Sequence, residues 1–177
     1  MSKLGSFVLP TVLVALMISA SSSGVFAATE LAYDDGWSDD VQTCVVGAYL
    51  AVRFSLPPGW SEAKLMTARF YRVVPGTNVN VHIFGSDGST ELTTPFTFDM
   101  AANGWNDADL SAKNIVVTGD FYVAIEWLVY AEPDIGYDKT SPDGRSYGGF
   151  GPPNPWFPFV DGDHMIRAVV EQVLAPT

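Results

Sequence analysis

A strict alternation of apolar and polar residues recurs along this chain and limits the folds that are open to it. Over residues 49–56 every second residue is a large apolar one, and Pro57-Pro58-Gly59 ends the run. Successive side chains of a β-strand point to opposite faces, so a period of two residues is typical of half-buried strands. Comparable segments, separated by turn residues, occur at 66–71, 79–84, 121–127 and 166–171.

Each alternating segment predicts one face that points into a core. Shorter strands are predicted at 30–33, 95–99, 104–110 and 115–117, and only residues 61–69 also resemble a helix. About nine antiparallel strands without an interdomain linker predict an all-β, jelly-roll-like β-sandwich of two sheets. The predicted inward residues are Leu50, Val52, Phe54, Leu56, Met66, Ala68, Phe70, Val79, Val81, Ile83, Phe121, Val123, Ile125, Trp127, Ile166, Ala168 and Val170.

The first 27 residues have the layout of a secretory signal peptide. Lys3 precedes an apolar run over 7–20, and Val25-Phe26-Ala27 ends in the small residues that a signal peptidase recognises. The apolar run is shorter than the roughly 20 residues of a membrane span. We therefore expect a secreted or cell-surface protein, a single domain over 28–177 and no membrane span after cleavage. The alternative is a pilin-type leader, suggested by Lys3-Leu4-Gly5.

The charge balance and the single cysteine exclude several classes of protein. Acidic residues outnumber basic ones by 20 to 9, giving a net charge of −11. Without a basic cluster the chain cannot neutralise phosphates, so we expect no nucleic-acid partner. One cysteine excludes a disulfide framework and a multi-thiolate zinc site. We interpret Cys44 as a buried residue, and the alternative is a disulfide between two molecules.

Aspartates concentrated in turns are the first candidate functional feature. Of the 20 acidic residues 14 are Asp, and Asp34, Asp35, Asp39 and Asp40 fall within seven residues. Calcium takes about six to eight oxygen ligands from carboxylates and loop carbonyls, so we predict these four residues as a structural Ca²⁺ site. The alternative is that Asp serves as a turn former, because its side chain accepts hydrogen bonds from nearby amides.

The segment 137–163 is the main candidate binding surface, because it reads as a long loop in which prolines separate aromatic residues. Proline fixes φ and thus presents its aromatic neighbours rigidly. We predict Trp156, Tyr147 and Trp37 as ligand-binding residues that stack on a glycan or anchor a protein partner. The alternative is that Trp156 and Tyr147 cover one open end of the sandwich. Aromatic residues interpreted as packing or core residues are Phe157, Phe159, Trp105 and Trp127.

Motifs of known catalytic sites are missing from the sequence. It contains no Gly-x-Ser-x-Gly elbow, no His-Glu-x-x-His pair and no phosphate-binding glycine loop. His82 lies within a strand pattern and is interpreted as structural. His164 follows Asp161-Gly162-Asp163 and is interpreted as part of a surface turn rather than as a metal ligand. Glu126 lies on an outward strand face, which keeps a hydrolase open as an alternative to a protein without enzyme activity.

Several short motifs occur in one order along the chain. They are Tyr33-Asp34-Asp35-Gly36, Ala51-Val52-Arg53-Phe54, Gly104-Trp105-Asn106, Gly119-Asp120-Phe121-Tyr122-Val123, Ile135-Gly136-Tyr137-Asp138, Arg145-Ser146-Tyr147 and Met165-Ile166-Arg167-Ala168. This order resembles the secreted jelly-roll accessory domains of bacterial and archaeal extracellular peptidases and surface proteins. The resemblance implies a non-catalytic β-sandwich, and it carries over no set of functional residues. We expect no catalytic partner domain beside this one, which would be a difference from the family's pattern.

Three hypotheses follow from the sequence. We favour a secreted module without enzyme activity that recognises a glycan or a protein and is stabilised by calcium. The second is a structural subunit of an extracellular assembly that self-associates by strand exchange or sheet-edge pairing. The third is an extracellular hydrolase.

Overall fold

The computed structural model describes residues 28–74, 78–152 and 154–174, so the predicted signal peptide lies outside the described residues. These parts form fourteen strands and a short 3₁₀ turn at Ser111–Lys113. None of the helical structure described is long and apolar enough to cross a membrane. The strands are β1 Thr29–Leu31, β2 Asp40–Gln42, β3 Tyr49–Phe54, β4 Ala63–Val74, β5 Asn78–Phe84, β6 Phe96–Asp99, β7 Gly104–Asp109, β8 Val116–Val117, β9 Phe121–Trp127, β10 Asp134–Asp138, β11 Ser146–Gly149, β12 Phe157–Pro158, β13 Asp163–His164 and β14 Ile166–Gln172.

The strands form two antiparallel sheets. Sheet A has the order β1-β14-β4-β10-β13, with β2 beside β10 and with β7 and β8 beside β4. Sheet B has the order β12-β11-β3-β9-β5-β6. The predicted all-β sandwich of two antiparallel sheets is therefore confirmed. The number of strands exceeds the predicted nine because several short strands lack a visible alternation.

The core contains most of the residues that the alternating segments assigned to it. Burying one apolar face of each sheet removes these side chains from water, which is the main stabilising contribution in a sandwich. Residues of the predicted faces that are at most 3% exposed are Leu50, Val52, Phe54, Ala68, Phe70, Val79, Val81, Ile83, Phe121, Val123, Ile125, Trp127, Ile166, Ala168 and Val170.

A β-bulge in β4 corrects one predicted inward residue. Val169 and Val170 of β14 pair with Thr67 and Leu65 of β4, so Met66 is the extra residue of the bulge. Its carbonyl oxygen accepts a 2.8 Å hydrogen bond from the backbone amide of Leu110. The bulge shifts the alternation, and fully buried Leu65 takes the place in the core that was predicted for Met66. The helical alternative for residues 61–69 is also wrong, since this stretch enters β4.

The segment 137–163 is not the continuous loop that was predicted. Its middle forms β11, which pairs with β3 from Ser146 to Gly149, and β12 pairs with β11 in turn. Its end forms β13, which pairs with β10. The two adjacent glycines of β11 and the turn residues around it interrupt any alternation of apolar and polar residues, so the sequence does not predict this strand. As a result, Tyr147 and the residues near Trp156 belong to one edge of sheet B.

Candidate functional site

The outer face of sheet B carries a floor of two alanines. Ala51 of β3 pairs with Tyr147 of β11 on one side and with Ala124 of β9 on the other, and Ala124 pairs with His82 of β5. Both alanines are completely buried although they point away from the main core. Small side chains in the middle of a sheet leave space that another element can fill, and here Trp156 packs against this group.

Trp156 is held between three aromatic neighbours on this floor. Its ring centroid lies 6.1 Å from that of Tyr49, 5.9 Å from that of Phe84 and 6.3 Å from that of Tyr122, with which it is nearly parallel. Its indole Nε1 donates a 2.7 Å hydrogen bond to the carbonyl oxygen of Gly88. We call Tyr49, Phe84, Tyr122, Tyr147 and Trp156 over the two alanines the aromatic face.

Tyr147 completes the aromatic face at the β11 edge. Its ring stands edge-on to Tyr122 at 5.8 Å, and the guanidinium of Arg53 lies 5.9 Å from its centroid. Phe84 and Tyr122 are buried, whereas the side chains of Tyr49, Tyr147 and Trp156 keep part of their surface open. The structure therefore brings two of the three predicted ligand-binding residues, Trp156 and Tyr147, onto one surface.

A polar row, formed by Asn80, His82, Glu91 and Glu126, borders the aromatic face. The ring of His82, which is only 6% exposed, lies between two carboxylates. Its Nδ1 is 2.6 Å from Oε1 of Glu91, and its Nε2 is 3.3 Å from Oε2 of Glu126. Asn80 donates a 2.9 Å hydrogen bond to the same Oε2 of Glu126. Both nitrogens of His82 thus have partners, in agreement with its interpretation as a structural residue.

The hydroxyl of Tyr49 lies close to the carboxylates that flank His82. Burial, with the charges of Glu126 and Glu91, raises its pKa to about 12. Glu126 was predicted to lie on an outward strand face and His82 to be structural, whereas Glu91, Asn80 and Tyr49 were not predicted as site residues. A signal was nevertheless present, because the faces opposite the predicted core faces are themselves rich in aromatic residues instead of being uniformly polar.

Trp37 lies apart from the aromatic face. It precedes β2 at the side of sheet A, and 78% of its surface is exposed. Its backbone amide donates a 2.9 Å hydrogen bond to Oδ1 of Asp35, which fixes the turn but leaves the indole free. The structure thus does not bring Trp37 together with the other two predicted ligand-binding residues.

The remaining aromatic predictions have mixed outcomes. Trp127 is fully buried as predicted, but Trp105 is partly exposed on sheet A, with the guanidinium of Arg167 4.4 Å from its centroid. Phe159 packs against the ring of His164 at 4.4 Å, as predicted. Phe157 is 60% exposed, so its interpretation as a packing residue is wrong. Its strand β12 is an edge strand of only two residues, which buries little side-chain surface.

The four aspartates predicted to bind calcium contact cationic side chains and backbone amides. Oδ2 of Asp34, whose side chain is fully buried, accepts a 3.0 Å hydrogen bond from Nε of Arg167. Oδ1 of Asp35 accepts a bond from the Trp37 amide. Oδ2 of Asp39 accepts a 2.9 Å hydrogen bond from the backbone amide of Lys139. Nζ of Lys139 lies 2.6 Å from Oδ2 of Asp40, and this bond lowers the pKa of that carboxyl group.

Asp34 and Asp35 act as turn formers, whereas Asp39 and Asp40 contact Lys139, which is distant in sequence. Asp34, Asp87, Asp109, Asp138 and Asp143 each accept a hydrogen bond from the backbone amide two residues further on. Within 28–74, 78–152 and 154–174, no group of three or more His, Cys, Asp or Glu side chains is placed to hold a metal ion. Calcium at residues 34–40 stays a prediction.

A second acidic group lies where β10 meets β13. Asp138 and Asp163 pair across these strands, and both are 1% exposed. Burial, followed by the charge of Asp143, raises the pKa of Asp163 to about 7. The neighbouring His164 is buried as well, and burial lowers its pKa to about 4. The interpretation of His164 as part of a surface turn is therefore wrong, because β13 carries it beneath Phe159.

Two comparisons place the chain among known proteins. It is 30% identical to Bacillopeptidase F of Bacillus subtilis (strain 168) over an alignment of 166 residues, which covers 80% of this chain and 11% of that protein. Its fold matches a structure of the cysteine protease and lectin-like domains of Cwp84, a surface-layer-associated protein of Clostridium difficile. That match has a TM-score of 0.54 at 15% identity and covers 71% of this chain and 32% of the other. No protein-family model matches the chain.

The chain resembles the accessory domains of extracellular peptidases and surface proteins. The resemblance inferred from the ordered motifs is thereby confirmed, and so is the extracellular or cell-surface location. The chain spans about a tenth of the length of the curated relative that it matches.

Proposed function

We propose that this chain is a non-catalytic accessory module that binds a glycan on the aromatic face. The observation that carries the proposal is the juxtaposition of partly exposed Tyr49, Tyr147 and Trp156 with the acceptors of Glu91 and Glu126. A sugar ring presents apolar C–H faces and polar hydroxyl edges. It therefore fits a surface that combines aromatic rings with a few fixed polar groups.

The rigidity of the aromatic face supports the same proposal. Trp156 is fixed by its hydrogen bond to Gly88 and by its packing on buried Phe84 and Tyr122. A surface that is already ordered loses little conformational entropy when a ligand binds, so more of the contact energy contributes to affinity. The lectin-like domain of the matched surface-layer-associated protein, which shares the fold, also supports a carbohydrate ligand.

An apolar surface at one end of the sandwich favours a second candidate function, association with protein or with further copies of this chain. The surface joins two loops, since the amide of Ala131 donates a 2.9 Å hydrogen bond to the carbonyl oxygen of Cys44. Contiguous exposed apolar residues often mark interaction surfaces. The exposed residues are Val45, Val46, Leu128, Val129 and Tyr130. Sedimentation of the purified domain over a range of concentrations tests self-association, and a constant monomer mass would exclude it.

Retention on a glycan array and on insoluble polysaccharides tests the glycan-binding proposal. We expect Tyr49→Ala and Tyr147→Ala to lose most of the retention shown by the unaltered domain. The matched control is Tyr130→Ala, which removes a 71% exposed tyrosine from the apolar end and should leave retention unchanged. Circular dichroism confirms that all three variants are folded. Equal retention of the two aromatic-face variants and the control would contradict the proposal.

A further inference from the structure

We infer that the glycan bound on the aromatic face carries a free, protonated amino group, which pairs with the carboxylates of Glu91 and Glu126 that flank His82. This inference rests on the proposed function and names the ligand chemistry of the same site.

The two carboxylates each keep one oxygen available. The hydrogen bonds to Glu126 end on its Oε2, and the contact of Glu91 with His82 ends on its Oε1. Within the described residues neither Oε1 of Glu126 nor Oε2 of Glu91 accepts a hydrogen bond of ordinary geometry, and the hydroxyl of Tyr49 lies close to the Glu126 carboxylate. The two side chains are 23% and 32% exposed, respectively, so both open oxygens belong to groups that a ligand can reach from solvent.

The balance of charge along the polar row favours a cation. In the described part of the chain His82 is the one basic side chain that contacts Glu91 and Glu126, so the row keeps a net negative charge whichever form the imidazole takes. The arginines near the face contact other groups: Nε of Arg53 lies 3.8 Å from Oδ2 of Asp120 without a hydrogen bond, and Arg145 donates to the hydroxyl of Ser55. They do not neutralise the row.

The aromatic rings beside the row add to this preference. The ring of Tyr49 lies 4.9 Å from that of His82 and also packs on Trp156. A ligand cation near His82 is therefore close to a partly exposed aromatic ring, and cations are attracted to the faces of such rings.

An ammonium group fits these acceptors better than a hydroxyl or an acetamido group. It offers three donors and a positive charge, and charged donors form stronger hydrogen bonds to carboxylates than neutral donors do. A sugar hydroxyl offers one neutral donor. An acetamido group also lacks the charge, and it adds bulk where the row and the ring of Tyr49 are close together.

Three β-1,4-linked tetramers that differ only at carbon 2 test the inference: glucosamine, N-acetylglucosamine and glucose. Calorimetric titration in a mildly acidic buffer keeps the amines protonated. We expect the glucosamine tetramer to bind at least about tenfold more tightly than the glucose tetramer. The advantage should shrink as salt is added, and it should disappear in the double variant Glu91→Gln plus Glu126→Gln.

Two controls separate recognition from general attraction to an acidic protein. Glu171→Gln removes one negative charge from sheet A and should keep the preference, whereas Tyr147→Ala should weaken binding of all three tetramers. Tetralysine carries comparable charge without sugar rings and should bind weakly. Binding of tetralysine as tight as that of the glucosamine tetramer, or a preference that survives in the double variant, would overturn the inference.

The two proposals can fail separately. Equal or tighter binding of the uncharged tetramers overturns the amino-group inference and leaves the glycan-binding proposal in place. Array binding restricted to glycans without an amine has the same two consequences. If no tetramer binds and neither the array nor the insoluble polysaccharides retain the domain, both proposals fall.

Discussion

The indole of Trp156 and the carbonyl oxygen of Gly88 form a 2.7 Å hydrogen bond that ties the loop before β12 to the turn after β5. Gly88 has a φ of +66°, and a Cβ added to it would lie 3.1 Å from Nε1 of that indole. Both partners of the bond are therefore constrained, one by backbone conformation and one by aromatic packing. The position of Trp156 on the aromatic face depends on this contact.

Gly88→Ala is expected to move Trp156 and weaken glycan binding. Left-handed backbone costs a residue with a side chain about 1–2 kcal/mol, and the new methyl group also presses against the indole. Gly144→Ala is a matched control, since Gly144 has a φ of +75° and no atom within 4 Å of an added Cβ. We expect both variants to lose stability in urea unfolding, while only Gly88→Ala loses affinity and changes tryptophan fluorescence. Equal affinities of the two variants would contradict this role of the contact.

Shortening Trp156 should affect stability as well as binding. Because its ring packs on Tyr49, Phe84 and Tyr122, we expect Trp156→Ala to lower the free energy of unfolding by about 2–3 kcal/mol, less than for a fully buried tryptophan. Trp156→Phe keeps an aromatic ring and loses the bond to Gly88, so its loss should be smaller. Urea unfolding measures both variants. A Trp156→Ala domain as stable as the unaltered one would show that the ring contributes little packing energy.

The sandwich could be predicted where the information is local. Alternation along β3, β5, β9 and β14 gave the correct core faces, because the period of two residues is set by the strand itself. Met66 was misassigned because a bulge depends on the partner strands, here on β14 and on the amide of Leu110. Strand β11 was missed because its glycines carry no alternation.

The candidate site was harder to predict because its members come from four strands and two loops. Trp156 and Tyr147 were predicted from residue type and spacing, yet their meeting depends on the registers of β11, β3 and β9. An isolated β-bridge between Phe84 and Glu91 brings Glu91 next to His82, and no local sequence pattern predicts this pairing. Trp37 fits the same residue pattern but lies beside the other sheet. Residue type alone therefore cannot distinguish one surface from another.

Chelation tests the predicted calcium site at residues 34–40. If the four aspartates bind Ca²⁺, chelator should lower the melting temperature, and Asp35→Asn combined with Asp39→Asn should abolish that response. If they instead bind only backbone amides, Arg167 and Lys139, as their contacts favour, chelator should have no effect. Differential scanning calorimetry with and without calcium distinguishes these two outcomes.

The ion pair between Asp34 and Arg167 should be important whether or not calcium binds. The Asp34 side chain is fully buried and that of Arg167 is 15% exposed, so removing one partner leaves a largely buried charge without its counterion. We expect Asp34→Ala to lower the free energy of unfolding by about 3 kcal/mol in chelator-treated buffer. Asp107→Ala is the control, because that carboxylate pairs with Arg69 and its side chain is 54% exposed. Similar losses in the two variants would contradict the importance assigned to the buried pair.

Trp37→Ala separates the exposed tryptophan beside sheet A from the aromatic face. Because the indole is 78% exposed, we expect the substitution to change the melting temperature very little. Affinity for a glycan bound on sheet B should also stay the same. A loss of glycan affinity in titration calorimetry would show that Trp37 contacts the ligand as originally predicted, and that the ligand extends beyond the aromatic face.

The stability of the domain should depend on pH through Asp163. Its pKa is raised from 3.8 to about 7, so between these values the folded state binds more protons than the unfolded state. The contribution of Asp163 to the free energy of unfolding is therefore fully present below about pH 4 and is lost as the pH rises towards 7. We expect Asp163→Asn to be more stable than the unaltered domain above pH 7 and to lose this advantage towards pH 4.

The neighbouring His164 has the opposite dependence and cancels in the comparison. Its pKa is lowered from 6.5 to about 4, so its contribution is present above 6.5 and is lost as the pH falls through 4. Since both proteins contain it, the difference between their unfolding free energies isolates Asp163. Urea unfolding in chelator-treated buffers across this range measures that difference, and Asp161→Asn, an exposed carboxylate two residues away, should show no such trend. A difference that does not change with pH would show that folding does not raise the pKa of Asp163.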